Sequence, residues 1–292
     1  VVLTSKHHDG FTLWPSRESW NWNAVDAGPH RDLAGDLSTA VKKAGLHMGF
    51  YYSLYEWYNP LYNQDVNKYV DQHMLPQLKD LIIKYDPDII WPDGEWDQSD
   101  TTWRSREFLT WLYNESPVKN TVVTNDRWGG GREHGGFNTS EYGSGKVSLE
   151  RPWEENRGIG ESFGYNRNEN LEQYANSEKL IHMLISVVSR GGNFLLNIGP
   201  AADGTIPVIM QQRLKDIGDW LKVNGEAIYE TSAWKNAPVK KVPDVFYTKK
   251  GKDLYVIATQ WSKEIEVAGV KAKEVSLLGY NGKTKFRKKG NH

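Results

Sequence analysis

The 292-residue chain contains no cysteine. That excludes disulfides, thiolate metal sites and a cysteine nucleophile, and leaves the cellular compartment open. No apolar run is long enough to span a bilayer, so membrane insertion is not expected. Neither sign of charge dominates: 36 Lys and Arg face 37 Asp and Glu, a formal charge of −1. This gives no electrostatic reason to expect nucleic acid or an anionic membrane as a partner. No G-x-G-x-x-G follows a strand-like run. Gly129-Gly130-Gly131 leads into neither Lys-Ser/Thr nor a helical pattern, so it is not a phosphate loop. No H-x-x-x-H occurs either, and His7, His8 and His30 lack metal-ligand spacing, so no metal and no cofactor are expected. What is abundant is aromatic: 13 Trp and 15 Tyr. Many stand beside acids, Asn and Gly in loop-like stretches, which suits carbohydrate binding better than a simple core.

Strand-like and helix-like runs alternate along most of the chain. Strands are expected at Val1–Lys6, His47–Ser53, Asp88–Trp91, Thr121–Thr124, about Leu149–Glu154 and Asn193–Pro200. Between them, helices are expected at Asp32–Ala44, at Asn67–Tyr85 with a kink at Pro76, and at Trp103–Asn114. Two more follow, at Leu171–Arg190 with Leu180, Leu184 and Val187 inward, and at Pro207–Asn224 with Leu214, Ile217 and Leu221 inward. Residues 132 to 147 have no periodicity and read as a long functional loop. Asn138-Thr139-Ser140 within it is a glycosylation sequon, expected at the surface.

Six strands alternating with helices predict the α/β class, a (β/α)8-type TIM-like barrel over residues 1–233. From Trp234 the texture changes to short strands separated by Gly, Asn and Lys turns: Phe246–Thr248, Asp253–Gln260, Glu264–Val267, Glu274–Leu278 and Thr284–Arg287. These predict a small C-terminal antiparallel β-sandwich over 234–292. The chain opens inside one strand-like run and stops just after another, so it reads as a fragment truncated at both ends.

The barrel is organised around Asp86-Pro-Asp-Ile-Ile-Trp-Pro-Asp-Gly-Glu-Trp96. A buried strand is expected to end at Pro92, placing Asp93 at its carboxyl end, where α/β barrels keep catalytic groups. Trp91, Trp96 and Trp103 crowd the same stretch, as expected where a sugar ring stacks on indole; an Asp that merely caps the next turn is the plainer alternative. Two carboxylates in an aromatic-lined barrel mouth suit glycoside hydrolysis, one ionised and one holding a proton. Asp93 suits the ionised role. For its partner the residues leave Glu154, Glu155, Asp126 and Glu95 open. Arg127 fits a hydroxyl-binding or carboxylate-restraining role as well as a plain salt bridge. His7 and His8 at the end of the first strand would point to opposite faces if the strand continued.

An ordered set of motifs resembles the α-L-fucosidase family of retaining glycoside hydrolases (family 29), nearest to the animal lysosomal type. The carrying stretches are Lys6–Phe11, Trp20–Asn23, Gly28–Leu33, Ile90–Trp96, Trp111–Lys119, Asn125–Gly129 and Gly191–Pro200. The resemblance implies an exo-acting enzyme releasing α-L-fucose from fucosylated glycans by double displacement, with Asp93 as nucleophile and Glu154 as acid/base, Glu155 being the adjacent alternative. It implies that His7, His8, Tyr51 (rather than Tyr52), Trp91 and Arg127 contact the sugar or its neighbours, and that Phe163 packs near the fucose methyl. An extracytoplasmic setting (lysosomal, secreted or periplasmic) follows by the same likeness, and self-association is compatible with it. In the family a further fucose-contacting His and a Glu-Trp pair precede the position of Val1, so the fragment alone is expected to fold poorly or be inactive. Two other classes are open to test: a fucose-binding module without catalysis, which would keep Trp91 and Arg127 but not both acids, and a metal-dependent hydrolase using His7, His8 and Asp93.

Overall fold

A computed structural model describes residues 1–130, 134–143, 151–236, 244–261, 263–267 and 269–287. It divides into two compact units, Val1–Thr139 and Ser140–His292, each taken here by itself.

The first unit holds a parallel sheet in the order β1-β2-β3-β4: Val2–Lys6, Gly49–Ser53, Ile89–Asp93 and Val123–Thr124. Helices α1 (Leu33–Lys43), α2 (Pro60–Gln64), α3 (Val66–Tyr69), α4 (Leu75–Tyr85) and α5 (Ser105–Asn114) connect and flank the strands. In α1, Asp32 accepts the N–H of Gly35 as N-cap, and Lys42 and Lys43 sit in the last turn, where the helix dipole favours cations. In α4, Leu78, Leu81 and Ile82 recur at helical spacing and are all fully buried. They share one core with Phe50, Tyr52 and Ile90 from the sheet.

The expected helix over 67–85 is continuous from Val66 to Tyr85, with its irregularity upstream of the proline rather than at it. Pro76 has no N–H to offer Gln72, and its ring would crowd that carbonyl. The chain widens into a π turn at Val70–Met74, in which the N–H of Leu75 reaches Val70 O, before α4 begins. The third strand also runs through Pro92, which was expected to end it, and finishes on Asp93. Strand β4 covers only Ile89 and Ile90, so Pro92 meets no ladder partner on that side; the Asn125 amide donates to its carbonyl instead, at 3.0 Å.

The second unit contains β6 (Trp153–Gly158) parallel to β7 (Gly192–Asn197), with β5 (Asn138–Glu141), which straddles the division, beside β6. Of the strand expected at about Leu149–Glu154, residues 149 and 150 lie outside the described residues; β6 extends past Glu154 to Gly158, with Trp153 and Glu155 among its buried positions. The loop expected over 132–147 contains a strand. The sequon lies in it, on a strand rather than a loop, with Asn138 half-buried and Thr139 and Ser140 buried. Helix α6 (Ser177–Ser189) starts later than periodicity implied: Asn176 caps it by accepting the Lys179 N–H, and Leu171–Gln173 forms a separate 3₁₀ turn. Leu180 and Val187 are inward as expected, Leu184 partly so. In α7 (Val208–Asn224) Met210 is the buried anchor, and Leu214 faces out. Strand β7, expected to be buried, is mostly half-buried, since it forms the end of its three-stranded sheet.

Strands β8 (Ser232–Ala233), β9 (Val245–Lys250) and β10 (Asp253–Ala258) make an antiparallel sheet in the order β10-β9-β8. Among the described residues, the expected strands at 264–267, 274–278 and 284–287 do not form, and no second sheet completes a sandwich. Neither sheet of parallel strands closes into a barrel among those residues. No helix among them is long and apolar enough to cross a membrane.

One polar cluster is built into the first unit's core. The register of β1 against β2 slips between Thr4 and Lys6, which sets Lys6 opposite Tyr52 and turns its side chain inward. Its Nζ lies 2.6 Å from Glu56 Oε1 and 4.1 Å from the Tyr52 ring centroid, with the lysine fully buried. Glu56 also accepts from Asn59 and meets His73 at 3.0 Å. Burial pushes the Glu56 carboxyl up, but Lys6 and His73 together outweigh it and hold the group well below the usual carboxylate range. Removing one partner strands the other charge in the core, which costs about 3–5 kcal/mol. Lys6→Met should therefore lower stability by that order in chemical denaturation, and Lys6→Met with Glu56→Gln should recover most of it. A single-variant loss below about 1 kcal/mol would show that the pair is not desolvated as described.

Candidate active site

Side chains alternate across a strand, so one face of the first sheet carries Tyr51 and Ser53 from β2 and Trp91 and Asp93 from β3, paired Tyr51 with Trp91 and Ser53 with Asp93. The opposite face sends Phe50, Tyr52 and Ile90 into the helix-covered core. The polar face thus opens beside a rigid wall.

Asp93 ends β3 with its side chain 11% exposed. The Arg127 Nη1 donates to Oδ1 at 2.6 Å, and the Tyr51 hydroxyl donates to Oδ2 at 2.6 Å. Both carboxylate oxygens are thereby fixed by charge-assisted or short hydrogen bonds. Arg127 is itself held. Its Nε donates to Thr139 Oγ1 at 3.1 Å, its main-chain N–H to Asn125 Oδ1, and its guanidinium lies 4.6 Å from the Trp91 ring centroid. Trp91 is 4% exposed and also stacks with Tyr51 at 5.8 Å. It braces Tyr51 and Arg127 rather than offering an open platform for a sugar. Trp103 is likewise core: it is 1% exposed, with its indole N–H on the Glu95 carbonyl. The exposed indoles near this face are Trp57 and Trp96, whose rings lie 5.5 and 5.1 Å from that of His8.

The two histidines do not point to opposite faces. Strand β1 stops at Lys6, and a turn closed by the Gly10 N–H on His7 O brings both rings to one side, 4.1 Å apart. His7 stacks on Tyr51 at 5.4 Å, and His8 Nε2 lies 4.0 Å from Asp93 Oδ2. Burial lowers the His8 pKa to about 4, with His7 and Lys6 adding to the effect and Asp93 opposing it, so the ring is neutral near pH 7.

The remaining carboxylates separate by environment. Asp126 is 1% exposed and its Oδ1 takes both the N–H and the hydroxyl of Thr139, a structural task that orients the residue holding Arg127. Glu95 is buried on the turn after Asp93. In the second unit, Glu155 is buried and accepts the Gly143 N–H at 2.7 Å, while Glu154, its neighbour on the opposite face of β6, is less buried. Glu154 is the second residue of β6 rather than lying at its carboxyl end. Phe163, also in that unit, is 38% exposed and meets Tyr142 edge-on at 5.2 Å. Asn125, Thr139 and Ser53 were not singled out in the sequence. Asn125 stands in a motif already marked by Arg127, and Ser53 is two residues beyond Tyr51 on the same face, whereas Thr139 comes from a segment with no periodic signal.

A family profile described as alpha-L-fucosidase matches residues 1–226. The chain is 46% identical to the plasma alpha-L-fucosidase of Rattus norvegicus over 96% of its length, and 48% identical to the tissue alpha-L-fucosidase of Homo sapiens over 89%. It spans 65% and 58% of those two proteins, less than two thirds of each. Among solved structures it resembles the Thermotoga maritima alpha-fucosidase in complex with a mechanism-based inhibitor, with a TM-score of 0.73 and 39% identity, covering 87% of this chain and 60% of that one. On the extent of the family match and the identity to these relatives, the chain belongs to the alpha-L-fucosidase family.

Proposed function

We propose that the chain is the catalytic part of a retaining exo-α-L-fucosidase acting on terminal α-L-fucose of glycans and glycoconjugates. The observation that carries this reading is Asp93, fixed by Arg127 and Tyr51 at the end of a buried parallel strand, in a chain of this family. The match over residues 1–226 supports placing the catalytic barrel at 1–233 and a separate β-rich segment at 234–292. The plasma and tissue relatives support an extracytoplasmic setting.

In the first step an Asp93 oxygen attacks the anomeric carbon of the fucoside, and the bond to the leaving oxygen breaks as Glu154 protonates that oxygen. A covalent fucosyl-enzyme results. In the second step Glu154, now ionised, takes a proton from water as the water attacks the same carbon and releases Asp93. Two inversions give net retention, which calls for carboxyl groups about 5–5.5 Å apart. Arg127 and Tyr51 set the plane of the attacking carboxylate and receive its charge again when the ester bond breaks. Glu154 is preferred to Glu155 because the Trp153-Glu154 pair matches the family's Trp-Glu after the long loop. Trp91 serves through Arg127 and Tyr51, His7 and His8 meet sugar hydroxyls, and Phe163 provides apolar contact for the methyl group.

Hydrolysis of an aryl α-L-fucoside by a protein of the relatives' full length tests this directly. Asp93→Gly should cost on the order of 10⁴-fold or more in turnover, and azide should restore reaction by giving the β-fucosyl azide. Unchanged turnover would move the nucleophile elsewhere. Glu154→Gln should lose about 10²–10⁴-fold on fucosides with poor leaving groups and much less on activated aryl fucosides. Equal losses on both classes would remove Glu154 from the acid role.

A further inference from the structure

Resting on the fucosidase reading and going beyond it, we propose that Ser53 and the His8 main-chain N–H preset the two histidines as a hydrogen-bond donor and acceptor pair. His7 Nε2 then donates to a sugar oxygen, and His8 Nε2 accepts from a sugar hydroxyl beside Asp93. Ser53 is accordingly a positioning residue, since it acts on substrate through His8.

The assignment follows from counting protons. Ser53 Oγ lies 2.6 Å from the Tyr55 carbonyl oxygen, which has no hydrogen, so the serine hydroxyl must donate there. Its single proton is then used. The 2.6 Å approach of His8 Nδ1 to the same Oγ requires the ring to be the donor. A neutral His8 therefore carries its proton on Nδ1, and its bare Nε2 faces Asp93 Oδ2 across 4.0 Å. Two lone pairs cannot bond each other, and the gap exceeds a hydrogen bond, so this edge is matched to a hydroxyl that donates to Nε2. The other ring is set the opposite way. The His8 main-chain N–H donates to His7 Nδ1 at 2.8 Å, which leaves the proton of a neutral His7 on Nε2. Burial lowers the pKa of both rings, so each has one proton to place near pH 7.

The packing leaves no room for alternatives around the relay. A Cβ on Gly94, the residue after Asp93, would stand 3.1 Å from Ser53 Oγ and 3.3 Å from His8 Cε1, and Gly94 has φ +77°. Ser53 is fully buried. The pair thus discriminates by hydrogen-bond direction, which a single imidazole in exchange between tautomers would not do.

Nitrogen-15 NMR of histidine-labelled protein at neutral pH tests the assignment, with His7 and His8 identified by His7→Gln and His8→Gln. The expected spectrum has His8 protonated on Nδ1 and His7 on Nε2. In Ser53→Ala, His8 should shift toward the Nε2–H form. There kcat/KM on an aryl α-L-fucoside should fall about 3–10-fold, the scale of one hydrogen bond, while the His7 tautomer stays as in the wild type. Wild-type His8 protonated on Nε2 would overturn the proposal, as would an unchanged tautomer and rate in Ser53→Ala. If a protein of the relatives' full length carries the expected tautomers but does not hydrolyse the fucoside, the fucosidase reading fails while the assignment stands.

Discussion

Everything at this site depends on keeping an ionisable acid at the end of a buried strand. A carboxylate taken out of water is costly unless paired and hydrogen-bonded. Here the compensation comes from Arg127 on one oxygen and Tyr51 on the other. Each compensating group needs its own support in turn. Arg127 is braced by Thr139, Asn125 and Trp91, and Thr139 by Asp126. A chain of such dependencies explains why so many polar residues are buried in the first unit, and why Trp91 is consumed as structure before any sugar could stack on it.

The same constraint accounts for the glycines and the helices. Gly94 must follow Asp93 without a side chain because Ser53, Tyr55 and His8 close in on it. The helix-facing residues Phe50, Tyr52 and Ile90 anchor the sheet's other side, so the active face cannot rotate away. The Lys6–Glu56 pair lies beneath the turn that carries the histidines. The Trp57 N–H donates to the His8 carbonyl at 2.7 Å, which ties the loop following Glu56 to that turn. A buried charge pair is poor evidence of stability in itself, but it fixes one register of β1 at the position from which His7 and His8 emerge.

Much of this was legible in the sequence for a physical reason. The apolar runs in His47–Ser53 and Asp88–Trp91 mark buried strands, and the acid directly after the second marks its carboxyl end, before any coordinates are known. The marks of α1 and α5 are equally local: a capping Asp at one, apolar spacing at both. What was not legible depended on distant partners. Thr139 is recruited from a stretch without pattern, because its role is set by Asp126 and Arg127 across the fold. Trp91 and Trp103 read as sugar platforms since indole beside acids is their common signature, yet packing by Tyr51, Arg127 and neighbouring core residues decides their use. The late strands failed to form for a similar reason, since short alternating runs carry no information about whether a second sheet is there to receive them.

The histidine pair shows how far local geometry can carry chemical direction. An imidazole in water exchanges its proton between two nitrogens and can serve as donor or acceptor at either. Against a sugar, whose hydroxyls can also do both, such a ring would tolerate many orientations. A carbonyl oxygen, which only accepts, ends the ambiguity at one end of the Tyr55–Ser53–His8 relay, and a main-chain N–H, which only donates, ends it at His7. Neither anchor can be changed by a side-chain substitution at its own position, because both are backbone groups. The one replaceable member is Ser53, and the direction of the pair therefore rests on a single hydroxyl placed by the pleat of β2 opposite Asp93.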